Sequence, residues 1–269
     1  TVPVRAIDLE AKVTLLRDLI LRVDSDSWLK PAESLRRILI DPIQAAGWLK
    51  DIRRIYVVPH GVLHYLPVVV LPRSTSEGPR YLMEDYSVSY LPAAASLVNG
   101  HAAGTPGGSL LALAPERARL PYAQQEAQSI GQYFPPPRSV LLGRRATEGS
   151  FKRQARGYRV IHLATHGTFN RLNPLLSGVE LEPGRSEDGL LQVHEILGLK
   201  LQAQLVTLSA CDTAMGSGYF SEVPPGDDFI GLTRAFLFAG SQSVLASLWE
   251  VNDRTTLRLM TRFYSHLAK

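Results

Sequence analysis

The chain of 269 residues holds a single cysteine, Cys211, so no internal disulfide is possible. A fold that does without disulfides suits a reducing compartment, and a cytoplasmic location is the expectation. Long apolar runs are scarce as well. The most apolar region, IYVVPHGVLHYLPVVVLP at 55–72, carries three prolines and two histidines. It reads as two short strands around a turn, and no membrane span is expected. No basic-then-apolar leader opens the chain. Charge of one sign is not in large excess, since 29 Lys and Arg face 25 Asp and Glu, a net of +4. The densest basic stretch, RRATEGSFKRQARGYR at 144–159, lacks aromatic or repeated basic support. It reads as a solvated helix face, and no nucleic-acid partner is expected of this domain. No G-x-G-x-x-G or P-loop follows any strand, which argues against a nucleotide-binding protein. No repeat of fixed period is present. No histidine spacing suggests zinc, and neither a metal nor another cofactor is expected.

Hydrophobic residues make up 45% of the chain and charged residues 20%, the balance of a globular protein with a large core. Helical spacing of apolar residues marks 7–22 and 31–49, the second opened by Pro31. Short β-rich runs follow at 54–58, 86–91, 109–114, 139–142, 158–165, 178–182, 205–210 and 243–249. Between the later runs lie helical patterns at 121–134, 147–155, 191–199 and 229–240. Nearly continuous apolar strands alternating with helices predict an α/β fold with a mostly parallel sheet covered on both faces. HAAGTPGG at 101–108 is the linker candidate, dividing 1–100 from 105–269. Thr1 is not an initiator Met and FYSHLAK stops inside a helical pattern, so the chain reads as a piece of something longer.

In such sheets, chemistry gathers where strands end at their carboxyl side. The run LVTLSA leads to Cys211, and YRVIHLAT leads to His166 and Gly167. Free cysteine most often packs as a small hydrophobe. If the two strands are neighbours, however, the two side chains emerge at one edge and can form a nucleophile and its base. A free thiol has a pKa of about 8.5, so it needs such a base at neutral pH. The backbone N–H groups of Gly167 and Cys211 are candidate oxyanion donors, and Gly167 has no side chain in the way. His162, in mid-strand, reads as a buried structural histidine. His60, His64 and His194 sit in no metal-like or catalytic pattern. Asp212 follows the cysteine and reads first as a turn former.

The ordered combination VIHLATHG, SGVEL, DGLL, LVTLSACDT and GLTRAFLFAGSQSVLASLWEVND resembles the CHAT family, and VVPHGVLHYLPVVVLP and LPYAQQEAQSI extend the likeness from about residue 50 onward. These are caspase-like cysteine peptidases, of the clan of caspases, metacaspases and separases. The resemblance implies a caspase-like fold, with residues 1–100 a degenerate half and 105–269 the active one. It implies a dyad of His166 and Cys211 acting on a protein substrate as an endopeptidase. It also implies an N-terminal repeat region or activating partner, and a role in bacterial defence or regulated death. Separase-like members carry an acidic residue that receives a basic side chain before the scissile bond. Here Asp253 in SLWEVND matches it, with Asp212 a second substrate-binding candidate. Read locally, Asp253 before RTTLRLMTRF is equally a helix N-cap. The segment MGSGYFSEVPPGDDF at 215–229 is longer and more polar than the family's glycine turn. The alternative function is a catalytically idle caspase-like scaffold or interaction module.

Overall fold

The computed structural model describes residues 4–22, 25–99, 108–170, 172–209, 227–249 and 251–268. These fall into two compact units, one before residue 100 and one after it. Helices α1 (Ala6–Ile20), α2 (Leu29–Leu39) and α3 (Asp41–Ala45) open the first unit. Strand β1 (Arg54–Val57), the hairpin of β2 (Pro72–Thr75) and β3 (Gly78–Tyr81), α4 (Leu82–Asp85), β4 (Ser87–Tyr90) and α5 (Ser96–Asn99) complete it. β1 and β4 pair in parallel, Arg54 opposite Ser87. Its core is Val13, Leu16, Ala32, Leu35, Leu66, Leu71 and Leu82, all inaccessible to solvent. Buried Arg36 spends its guanidinium on Asp41, Gln44 and the Leu71 carbonyl, which meets the cost of placing a cation there.

Two expectations for this unit need correction. The 55–72 region holds one strand, not two. After Val57 the chain makes two 3-10 turns, Gly61–Tyr65 and Val68–Val70. Pro59, Pro67 and Pro72 each remove an N–H that a second strand would need. The Tyr90 hydroxyl ties these turns down instead, donating to the Leu66 carbonyl at 2.8 Å and accepting from the Val68 N–H at 2.9 Å. The helical stretch expected from Pro31 starts earlier, at Leu29, and breaks at Ile40 ahead of Pro42.

The second unit is built on five parallel strands. They are β5 (Leu110–Ala114), β6 (Arg138–Leu142), β7 (Val160–Ala164), β11 (Leu205–Ser209) and β12 (Val244–Ala246), in the order β12-β11-β7-β5-β6. Three short antiparallel strands, β8 (Gly167–Thr168), β9 (Gly178–Glu180) and β10 (Leu190–Gln192), form a separate sheet. The helices are α6 (Ala123–Gly131), α7 (Glu148–Gln154), α8 (Val193–Leu197), α9 (Asp227–Phe238) and α10 (Asp253–Leu267).

Alternation along the parallel strands divides the core into two layers. Leu111, Leu113, Ile161, Leu163, Val206 and Leu208 pack with Phe151, Ile196, Leu232 and Phe236, the side of α7, α8 and α9. Leu110, Ala112, Val160, Ala164 and Leu205 pack with Ala123, Ala127, Ile130, Met260 and Tyr264, the side of α6 and α10. Both faces of the sheet are therefore covered, which is why its strands read as unbroken apolar runs. Each leucine so buried contributes roughly 1.5–3 kcal/mol. The architecture is the α/β, helix-flanked parallel sheet that the sequence led us to expect.

Candidate functional site

β7 and β11 are immediate neighbours, and their register pairs His162 with Thr207 and Ala164 with Ser209. Their carboxyl ends consequently leave the sheet at the same edge. His166 follows Ala164 by two residues, and Cys211 follows Ser209 by two. Cys211 and Asp212 lie outside the described residues, as do Glu250 and nearly all of the segment at 215–229, so the expected dyad is described from its histidine side alone.

His166 is half-buried, and the backbone on both sides of it is fixed. The Thr165 N–H donates to the Ser209 carbonyl at 3.1 Å, joining β7 to β11 just before the histidine. The Thr165 hydroxyl donates to the Glu180 carbonyl at 2.6 Å, and the His166 carbonyl accepts from the Glu180 N–H at 2.9 Å. Gly167 then enters β8, where it is buried opposite Val179. A Cβ built on Gly167 would meet the Phe169 ring at 3.5 Å, an ordinary contact, so local packing does not demand glycine there. Gly178, in the adjacent β9, differs: a Cβ there would lie 2.5 Å from the Leu191 carbonyl oxygen, and β9 could not approach β10.

Beneath this edge lies a polar network on the α6–α10 side of the sheet. Glu126, His162, Thr207, Ser209 and Tyr264 are all at most 1% exposed. Glu126 Oε1 accepts from the Ser209 hydroxyl at 2.5 Å and lies 2.9 Å from His162 Nε2. His162 Nδ1 lies 3.2 Å from the Tyr264 hydroxyl, which is 2.7 Å from Thr207 Oγ1. Each group has a partner, as burial requires. Burial pushes the Tyr264 phenol well above its ordinary value, so the hydroxyl keeps its proton. The reading of His162 as structural is met by these contacts. Glu126 was missed, although a signal was available. It shares one helical stripe with Ala123, Ala127 and Ile130, and a carboxylate on an apolar stripe is out of place unless it has buried partners.

Asp253 occupies the first turn of α10 but does not cap it. The cap is Asn252, whose side chain accepts from the Thr255 N–H at 3.1 Å. Asp253 Oδ2 instead accepts from the Tyr122 N–H at 2.6 Å. Its Oδ1 is buried and has no hydrogen-bond partner among the described residues. Burial pushes the Asp253 carboxyl above the ordinary aspartate value; the Tyr122 N–H opposes this, the charge of Glu126 adds to it, and His166 pulls it back. The helix-cap reading of Asp253 is therefore corrected, because asparagine, one residue earlier, takes that role.

Among the described residues, Glu148, Glu187 and Glu195 offer carboxylate oxygens within 4.8 Å of one another, close enough to hold a cation. The Lys152 ammonium fills that place, at 2.6 Å from Glu148, 2.8 Å from Glu187 and 2.7 Å from Glu195. Its three N–H donors match three acceptors. Burial alone would lower the Lys152 pKa, but its carboxylate partners outweigh that and hold it above the ordinary lysine value. The group is a structural ion cluster joining α7 to the segment before β10 and to α8.

A five-stranded parallel sheet covered on both faces, with His166 following its central strand, is an α/β architecture consistent with a caspase-like fold. The CHAT domain model matches residues 29–269, and the chain belongs to the CHAT family, a caspase-like, cysteine-peptidase-related group. The chain is also similar to Tetratricopeptide repeat protein 28 of Mus musculus, at 26% identity across 88% of this chain and 12% of the relative. The human protein of the same name is 37% identical across 29% of this chain and 3% of its own length. The chain thus spans about an eighth of the mouse relative it matches.

Proposed function

We propose that this chain is a cysteine endopeptidase with His166 as general base and Cys211 as nucleophile. The observation that carries the reading is the β7–β11 register, Ala164 opposite Ser209, from which the two residues follow at equal distance along adjacent parallel strands. His166 takes the Cys211 proton as sulfur attacks the scissile carbonyl carbon, and the N–H groups of Gly167 and Cys211 receive the oxyanion. The imidazolium then protonates the departing amine, leaving a thioester. His166 next deprotonates a water that attacks the thioester carbon, which releases the acid and restores the thiol. Asp253 receives a basic side chain before the scissile bond. Its support is a buried carboxylate oxygen with no hydrogen-bond partner among the described residues, the place where a guanidinium would bind best. Residues 1–100 serve as a non-catalytic half. The repeat-protein relatives support operation beside a repeat region that brings the substrate or an activator.

The test is peptide hydrolysis by the wild type, Cys211→Ala and His166→Ala. Each substitution is expected to abolish turnover while the circular dichroism spectrum is kept, since each removes an indispensable step. Turnover surviving in a folded Cys211→Ala protein would defeat the reading. A wild type inert to peptides and to thiol-directed probes would leave a scaffold.

A further inference from the structure

We propose that Glu126 is a positioning residue for this site, its buried carboxylate clamping β7 and β11 near the carboxyl ends that precede His166 and Cys211 in the sequence. The inference rests on the hydrolase reading for its purpose, but its geometry stands by itself. One oxygen, Oε1, meets Ser209 at the last residue of β11 and His162 in β7. The two strands are thereby tied to α6 as well as to each other. On this face Val160 and Leu205 at the amino ends are apolar, His162 and Thr207 are paired mid-strand, and Ser209 ends β11 opposite Ala164.

A carboxylate is an expensive choice for packing alone. Glu126 sits between Ala123, Ala127 and Ile130, where an apolar side chain would fill the space without desolvating a charge. What an apolar residue cannot do is hold Ser209 by a directed bond. A single side chain therefore holds both the strand before Cys211 and the strand before His166.

The test uses the whole 269-residue chain. Glu126→Leu keeps much of the volume and removes the acceptor that Ser209 and His162 share, whereas Ser209→Ala removes one bond and leaves the carboxylate. Ile130→Val is the control for loosening of α6 without loss of a polar contact. The first readout is amide exchange at Thr165, whose N–H joins β7 to β11 beside His166, against Val160, whose N–H bonds Ser109 at the other end of the strand. Both variants that break the clamp are expected to speed Thr165 exchange at least tenfold relative to Val160, an effect absent from Ile130→Val. The second readout is kinetic. kcat should fall about 10- to 100-fold with KM within a factor of about three, because misplaced reacting groups cost rate more than binding. The double variant should lose no more than the worse single one, as two ends of one clamp would. If Thr165 exchange and kcat follow Tm as they do in Ile130→Val, Glu126 is a core polar group and the proposal is wrong. A wild type without turnover would defeat the hydrolase reading alone, and the exchange comparison would still decide the role of Glu126.

Discussion

At the scale of single residues, Asp253 has the most to tell. A cap would lose stability when altered, but Asn252 caps α10, and Asp253 carries a pKa raised chiefly by burial. The sign follows directly. A carboxyl whose folded value lies above its unfolded value destabilises the fold when ionised, and the penalty is relieved as pH falls through the folded value. Asn at 253 cannot ionise and can still accept the Tyr122 N–H. Asp253→Asn is therefore expected to match or exceed the wild-type Tm at pH 7 and to lose that advantage toward pH 4, as scanning calorimetry at the two pH values would show. Its effect on selectivity runs the other way. Loss of a partly desolvated counter-charge should lower kcat/KM for an Arg peptide on the order of 10²–10³ while sparing a neutral analogue. In the wild type the preference for Arg should fade as pH drops through the Asp253 value, which burial raises. An unchanged Arg-to-neutral ratio in the variant would remove Asp253 from the pocket.

At the scale of elements, the Lys152 cluster shows what joins α7 to its neighbours. Lys152→Met would leave Glu148, 1% exposed, facing two further carboxylates without a cation. Breaking such a group costs about 3–5 kcal/mol, and the partial exposure of Glu187 and Glu195 argues for the lower end. Urea denaturation at pH 7 should register that loss. The gap to wild type should narrow as pH falls, because Glu148, already raised by burial, takes up a proton in the variant and removes the repulsion. A gap independent of pH would mean that methylene packing, not charge, is what Lys152 supplies. The same elements mark how far the sequence could be read. Strands β5, β7 and β11 were legible because burial on both faces removes every polar residue that does not find a partner inside. The stretch expected as a helix over 191–199 opens as strand β10 and turns helical only at Val193. The Glu195 side chain accepts the Gln192 N–H at 2.8 Å and starts the helix there. Periodicity cannot register that boundary, since Leu190 and Leu191 suit either structure. Of the candidate site, residue type and strand end marked His166, and the pairing of β7 with β11 agrees with that marking, while Cys211 lies outside the described residues. Glu126 stood out only as a carboxylate on an apolar stripe; its partners were not legible, because they lie 36 and 83 residues away and meet only once the sheet is assembled.

At the scale of the molecule, the two units differ in what each can sustain alone. The second holds a five-stranded parallel sheet with helices on both faces, and its two apolar layers and its polar network lie entirely after residue 108. Among its described residues, the first has a two-stranded parallel pair, with Tyr56 and Tyr90 about two-fifths exposed, and a two-stranded hairpin beside its helices. Parallel strands are stable when covered on both faces, and two strands by themselves are marginal. A fragment of residues 108–269 is therefore expected to unfold in one cooperative transition in urea, with near-ultraviolet circular dichroism fixed by buried Tyr264. A fragment of residues 1–99 should show a broad transition or none. The comparison needs the two fragments and the full chain under one buffer. If 108–269 melts without cooperativity while 1–99 holds, the order of dependence is reversed. The caspase-like sheet would then owe its stability to the segment before it, and substitutions such as Glu126→Leu would have to be judged only in the intact chain.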